Sequence, residues 1–439
     1  VVVVSINYRL GALGFMWCEG GDANCGLWDA VRALEWTQEN IEQFNGDPGN
    51  VTIAGESAGA GATACLVASP IANKLFHRAI AMSAVAHSTD DENTAKMKTE
   101  QFARSLGLAS SGLSDFQAPE ASSILQTQGG LADKAPDQDF VVAMSTPGWS
   151  GPRLEHLRLS YDPASDTGIH YIQKSRDGSA RTHGFSPCVD GELLPAHPLD
   201  LIAQGTAAHI DLMVGSNREE NGFRADKTDP EISAALTYGA KVNTWEDVEK
   251  RAAWFFMGYG PLKSAGGGEE MAKGLVESYR LSEADGSGAG ELGSPQHVWN
   301  RLASDMSFNA STVMLVSRQA KHKPNTTFAY RFDGFNQRNA FHGWELGLFF
   351  GTLYNASDEH ARSLADSMRQ YFTNYMKTGD PNSGDLGLLW SAWDQGENSE
   401  ATMYFDRSGN EVDQYRNRAP SISKVIDLID TVFFHGSKT

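Results

Sequence analysis

The sequence predicts an α/β chain: a mostly parallel central sheet covered by helices, with long helical and loop insertions. Three observations carry this. Short apolar, β-branched runs recur along the chain. Stretches with apolar residues at helical spacing lie between them. One pentapeptide, Gly55-Glu56-Ser57-Ala58-Gly59, sits where such a run meets such a stretch. Alternation of this kind implies parallel strands joined by covering helices.

Val1–Ile6 is continuous and β-branched, which predicts a fully buried strand. Asn7 to Phe15 reads as a Gly-punctuated connection. Leu27, Val31, Leu34, Ile41 and Phe44 recur at helical spacing, so a helix is expected over Leu27–Phe44, stopped by Asn45-Gly46. Asp47-Pro48-Gly49 is a turn. Val51–Ala54 predicts a short buried strand, and a small-residue helix follows Ser57 to about Ala68. Further strands are expected at Ala79–Ser83, Leu212–Gly215, Thr327–Phe332 and Thr402–Phe405. Long helices are expected over Asp358–Lys377 and Ser421–Phe433. Less regular stretches, about 86–205 and 224–325, read as insertions between sheet strands. The whole of 1–439 is expected to be a single domain.

The 439 residues are 41% apolar, ample for a large core. No apolar run is long enough to span a bilayer, so stable membrane insertion is not expected. The net charge of −19 argues against binding nucleic acid through bulk electrostatics. Cys18, Cys25, Cys65 and Cys188 include no Cys-x-x-Cys pair, which speaks against a zinc or dithiol site. Cys18 and Cys25 flank a Gly-rich loop, a spacing that fits a small disulfide or two free thiols. Cys65, in an Ala-rich stretch, is expected to be a buried inert thiol. Sequons stand at Asn50, Asn309, Asn325 and Asn355, a pattern that also arises by chance. The chain opens inside an apolar run rather than on Met, and the expectation is an N-terminal truncation.

The chemistry is concentrated at Gly55–Gly59. A Gly-x-Ser-x-Gly pentapeptide is weak alone, but a strand before it and a small-residue helix after it are the setting of a nucleophile elbow. The turn is so tight that flanking positions are expected to be small, and Gly supplies both. The helix start brings its amides and dipole near the Ser57 oxygen, and the Ala58 N–H is a candidate oxyanion donor. A serine hydroxyl needs a base, and the base needs an acid to orient it. His342 is the candidate base, because it lies in a loop beyond the strand ending near Asp333. His87, His183 and His322 sit in polar stretches without that placement. The acid should follow the strand Leu212–Gly215, where Glu219 and Glu220 compete and spacing does not separate them.

At these residues the chain resembles the type B carboxylesterases, a family that includes the cholinesterases. The blocks run in order: Asn7-Tyr8-Arg9-Leu10-Gly11; Asn24 and Gly26-Leu27 with Asp29; Ala33-Leu34-Glu35-Trp36; Phe44-Asn45-Gly46-Asp47-Pro48; and Gly55–Gly59. Then come Phe185-Ser186-Pro187 with Val189-Asp190-Gly191, His342-Gly343-Trp344-Glu345-Leu346, and Lys377-Thr378-Gly379-Asp380-Pro381-Asn382. So many ordered matches are highly specific. The resemblance implies an α/β-hydrolase fold. It places the acid three residues after the strand-end Asn, at Glu220, and gives Glu56 a role as a buried carboxylate shaping the pocket field. A purely structural acceptor is the competing reading of Glu56.

The function implied is serine-dependent hydrolysis of carboxylic esters through an acyl-enzyme, on a small-molecule or lipid ester, with no cofactor or metal. A non-catalytic adhesion protein of the same family is the alternative, and such members have lost the triad that Ser57, Glu220 and His342 retain. An inactive fragment is the other alternative. The family's Gly-Gly oxyanion loop, its N-terminal disulfide loop and the cholinesterases' choline-binding aromatic are expected before Val1. The distance from Ser57 to Glu220 implies an inserted loop around Leu154–Arg181. No cysteine lies near the C-terminus, so a disulfide-linked oligomer through that end is not expected. Secretion is suggested by the resemblance alone.

Overall fold

The structure, a computed structural model, describes residues 1–133, 172–174, 180–182, 185–220, 242, 244–257, 268–284, 294–334, 340–351, 359–384, 386–394, 400–406, 409–414 and 422–429. Its strands are β1 (Thr52–Glu56), β2 (Arg78–Met82), β3 (Ile172–Lys174), β4 (Ala180–Thr182), β5 (Asp211–Asn217), β6 (Thr327–Gly334), β7 (Ala401–Asp406) and β8 (Glu411–Gln414). Six of them form a sheet in the order β1-β2-β5-β6-β7-β8. The pairs from β1 to β7 are parallel, and β8 adds antiparallel to β7. β3 and β4 form a separate two-stranded antiparallel sheet.

Side-chain alternation along the strands fills both faces of the sheet. Ala79 and Ala81 of β2 and Leu212 and Val214 of β5 join one apolar cluster, together with the helices Ala58–Ala68 and Ala310–Ala320. Ile80, Met82, Met213, Phe328, Tyr330 and Phe332 point to the other face. There they meet Met368, Tyr371, Phe372 and Tyr375 of the helix Glu359–Thr378. Strands buried on both faces are what continuous apolar runs encode. Gly215 is required in β5, because a Cβ there would lie 1.9 Å from the Tyr330 ring on the neighbouring strand.

The expected strands and helices from Leu27 onward recur with end shifts of at most four residues. The expected helix Leu27–Phe44 is an α-helix over Cys25–Asn40 that tightens to 3₁₀ over Ile41–Phe44. The terminal helix is Ile422–Ile429. Val1–Ile6 corrects the reading made from composition. These residues form no strand, and Val1 and Val3 are 70% and 78% exposed. A β-branched run becomes a strand only where a neighbouring backbone pairs with it, and none of the described strands does. Residues Gly11–Phe15, expected as connection, form a short helix. β8 was not anticipated, since its four residues carry little apolar pattern.

Residues far apart in the chain meet around Asn24 and Arg9. Buried Asn24 donates from Nδ2 to the Cys188 carbonyl at 2.7 Å and to Asp190 at 2.6 Å, and its Oδ1 accepts from the Cys188 N–H. Arg9 pairs with Asp29 at 2.7 Å. All four cysteines are free thiols, including Cys18 and Cys25. Cys65 is buried, and burial pushes its thiol up to about 12. The Asn309 sequon is fully buried and closed to modification, whereas Asn325 is exposed. Asn355, His183 and most of Leu154–Arg181 lie outside the described residues.

Candidate active site

The sheet brings its C-terminal strand ends together, and the site is built there. β1 ends at Glu56, and Ser57 follows with φ 58° and ψ −119°, a region that L-residues seldom occupy. Two bonds hold this turn: the Ser57 N–H donates to the Met82 carbonyl at 2.9 Å, and its carbonyl accepts from Gly61 at 2.9 Å. Gly55 is obligatory, since a Cβ there would sit 2.2 Å from the Gly59 carbonyl oxygen and 2.8 Å from Thr63 Oγ1. The expectation that both flanks must be small holds on one side only. A Cβ at Gly59 would meet nothing within 4 Å. Ala58 starts the helix, so its N–H has no intrahelical acceptor.

His342 reaches this turn from the loop beyond β6. Its Nε2 lies 2.7 Å from Ser57 Oγ, and its Nδ1 lies 2.6 Å from Glu220 Oε2. Glu220 is fully buried just past β5. Its other oxygen accepts from Ser83 Oγ and from the Asn217 N–H, both at 2.6 Å. Three donors therefore converge on one buried carboxylate, which satisfies it and holds it still. Glu219, its rival in the sequence, is turned to a different use. Its N–H donates to the Ala340 carbonyl at 3.0 Å, tying the β5 end to the histidine loop. Asn217 reinforces that tie, donating from Nδ2 to the Phe341 carbonyl at 2.6 Å and to Glu345.

Sequence reasoning gave no role to Ser83 or Glu345, and Asn217 entered it only as the register mark for Glu220. Ser83 follows β2 with φ 57°, an unusual conformation that would have shown only in the backbone. Glu345 stood inside the histidine block without a role.

Glu56 Oε1 lies 3.3 Å from His342 Nε2, without the alignment of a hydrogen bond. Its pKa is raised, first by burial; His342 pulls it down and Glu220 pushes it further up. Burial alone would lower His342. The Glu220 hydrogen bond and the charges of Glu220, Glu56 and Glu345 outweigh burial and bring it up to about 9. Burial, then the charge of Glu220, push Glu345 up to about 8.

Two histidines weighed as rivals in the sequence, His87 and His322, have other surroundings. His87 was read as lying in a polar stretch, yet it is buried, and burial lowers it to about 4. His322 Nε2 meets the Ala203 carbonyl at 2.9 Å. Among the described residues, no group of three or more His, Cys, Asp and Glu is placed to hold a metal ion. No helix among them is long and apolar enough to cross a membrane.

A sequence model of the carboxylesterase family matches residues 1–422. The chain belongs to the carboxylesterase family. It is 28% identical over 415 residues to carboxylesterase 1D of Mus musculus, covering 90% of this chain and 64% of the relative. It is 27% identical over 421 residues to para-nitrobenzyl esterase of Bacillus subtilis, covering 92% of this chain and 69% of the relative. A solved PNB esterase superposes with a TM-score of 0.64 at 25% identity, covering 95% of this chain and 73% of the other. This family member has the α/β-hydrolase fold. It spans just under two thirds of the length of the carboxylesterase 1D relatives it matches.

Proposed function

We propose that this carboxylesterase-family chain hydrolyses carboxylic esters through an acyl-enzyme on Ser57. One observation carries the reading: a continuous hydrogen-bonded series from Ser57 Oγ through His342 to buried Glu220, with links of 2.7 and 2.6 Å. Ser57 Oγ attacks the ester carbonyl carbon while His342 Nε2 takes the hydroxyl proton. Glu220 holds the imidazole with its proton on Nδ1 and stabilises the imidazolium. The tetrahedral oxyanion faces the Ala58 N–H at the helix N-terminus. Collapse expels the alcohol, which takes its proton from Nε2 and leaves an acyl ester on Ser57. Water, deprotonated by His342, attacks that ester and releases the carboxylic acid and free Ser57.

In this reading Glu56 shapes the field beside the nucleophile, and its 3.3 Å approach to Nε2 favours the imidazolium. The substrate is a small-molecule or lipid ester. The names of the relatives, a para-nitrobenzyl esterase and a bile salt-activated lipase among them, support that class. The same reading takes residues 1–439 as one domain, with insertions about 86–205 and 224–325.

The test is Ser57→Ala assayed on a simple aryl ester. Turnover should fall by at least about 10³-fold, with the thermal unfolding midpoint little changed. A variant hydrolysing at the parental rate would remove Ser57 from the mechanism.

A further inference from the structure

The helical segment that precedes β6 is irregular beside the site. Pro295–Ser304 and Ala310–Ala320 are joined by Asp305–Asn309, which winds as a π-helical turn. Such a turn inserts one residue into a helix and needs specific bonds to persist. Here buried Asp305 accepts from the Tyr279 hydroxyl at 2.6 Å and from Asn309 Nδ2 at 2.7 Å. Just beyond it, Ser311 Oγ accepts from the Ala86 N–H at 2.9 Å. The turn sets the Phe308 ring against the His342 imidazole, with centroids 4.4 Å apart and planes inclined by 37°. Removing the extra residue would rotate a side chain here by about 100° around the helix axis, away from that contact.

We propose that Phe308 is a positioning residue for His342, its ring fixing the tilt of the imidazole and stabilising the imidazolium formed during turnover. The inference rests on the proposed roles of Ser57, His342 and Glu220. The hydrogen bonds at Nδ1 and Nε2 fix the two nitrogens and leave the tilt of the ring to its packing. A phenyl face near a cation also attracts it through its quadrupole. The charged groups around the imidazole come from three elements: Glu56 at the end of β1, Glu220 past β5 and Glu345 in the helix Trp344–Phe349. Phe308 adds no charge, so changing it leaves those groups in place.

The experiment compares Phe308→Leu, which keeps apolar bulk, with Phe308→Tyr, which keeps the ring. It measures kcat and KM on an aryl ester across pH, the His342 imidazole titration by NMR, and Tm. Phe308→Leu should lose about tenfold in kcat and lower the His342 midpoint by about half a pH unit or more. KM should stay within about twofold, and Phe308→Tyr should restore both kcat and midpoint. A Phe308→Leu variant that keeps both, or loses only Tm, overturns the proposal, as does a Phe308→Tyr variant that restores neither. The NMR midpoint is read without turnover. A shifted midpoint in a protein whose Ser57→Ala variant still hydrolyses ester would therefore sink the catalytic reading while upholding the contact.

Discussion

Ser83 donates its hydroxyl to Glu220 Oε1 at 2.6 Å, on the carboxylate oxygen that His342 does not use. Ser83 is held for this by its own N–H, which donates to the Gly215 carbonyl at 2.7 Å, and by its left-handed backbone. Ser83→Ala should therefore reduce both stability and rate. A hydrogen bond to a charged group contributes about 1.5–3 kcal/mol. Urea unfolding should show a loss of that order, and kcat should fall about tenfold as Glu220 loosens. If unfolding free energy and kcat both matched the parent, the bond would have no role in setting the acid.

Glu220→Gln and Glu219→Gln separate the two neighbouring carboxylates. Only Glu220 touches His342, while Glu219 contributes its backbone to the strand-end tie. Glu220→Gln should cost about 10⁴ in kcat, the scale seen when a triad acid can no longer hold the right tautomer. Glu219→Gln should cost less than about threefold, because the tie uses only its main chain. Equal losses would mean that the acid has been assigned to the wrong residue.

The acid limb of kcat/KM should lie above the ordinary imidazole value of about 6.5, because His342 is raised to about 9. The base works only when neutral, so a raised pKa leaves it protonated at neutral pH and rate climbs with pH through that value. Glu56→Gln deletes a negative charge 3.3 Å from Nε2, destabilises the imidazolium and should move the limb to lower pH. A limb that stayed put or rose would show that Glu56 does not act through this field.

Gly55→Ala and Gly59→Ala should differ sharply in thermal unfolding. The first sets a methyl 2.2 Å from a backbone oxygen, and the second meets open space. Overpacking at the former should cost about 1–3 kcal/mol and drag Ser57 out of line. Gly59→Ala should unfold within a few degrees of the parent. Comparable losses at both glycines would remove the crowding explanation.

Much of this molecule is legible in the chain itself. Continuous apolar runs announced β2, β5, β6 and β7, because each is buried on both faces and needs no polar alternation, whereas β1, expected to be buried, stands at the end of the described strand order and is only partly covered. Gly55–Gly59 announced its turn, because local crowding at Gly55 restricts the residue that fits. Val1–Ile6 carried the same signature as those strands and forms none, because pairing is supplied by another segment and not by the run itself. Tertiary structure alone decided what meets at the site. Ser57 and His342 stand 285 residues apart, and Ser83 and Glu220 stand 137 apart. Their hydrogen bonds exist only because parallel pairing sets the ends of β1, β2, β5 and β6 side by side. The choice of Glu220 over Glu219 was closed to spacing for the same reason. Adjacent side chains differ in direction, and direction is settled by the ladder and loop that hold the backbone.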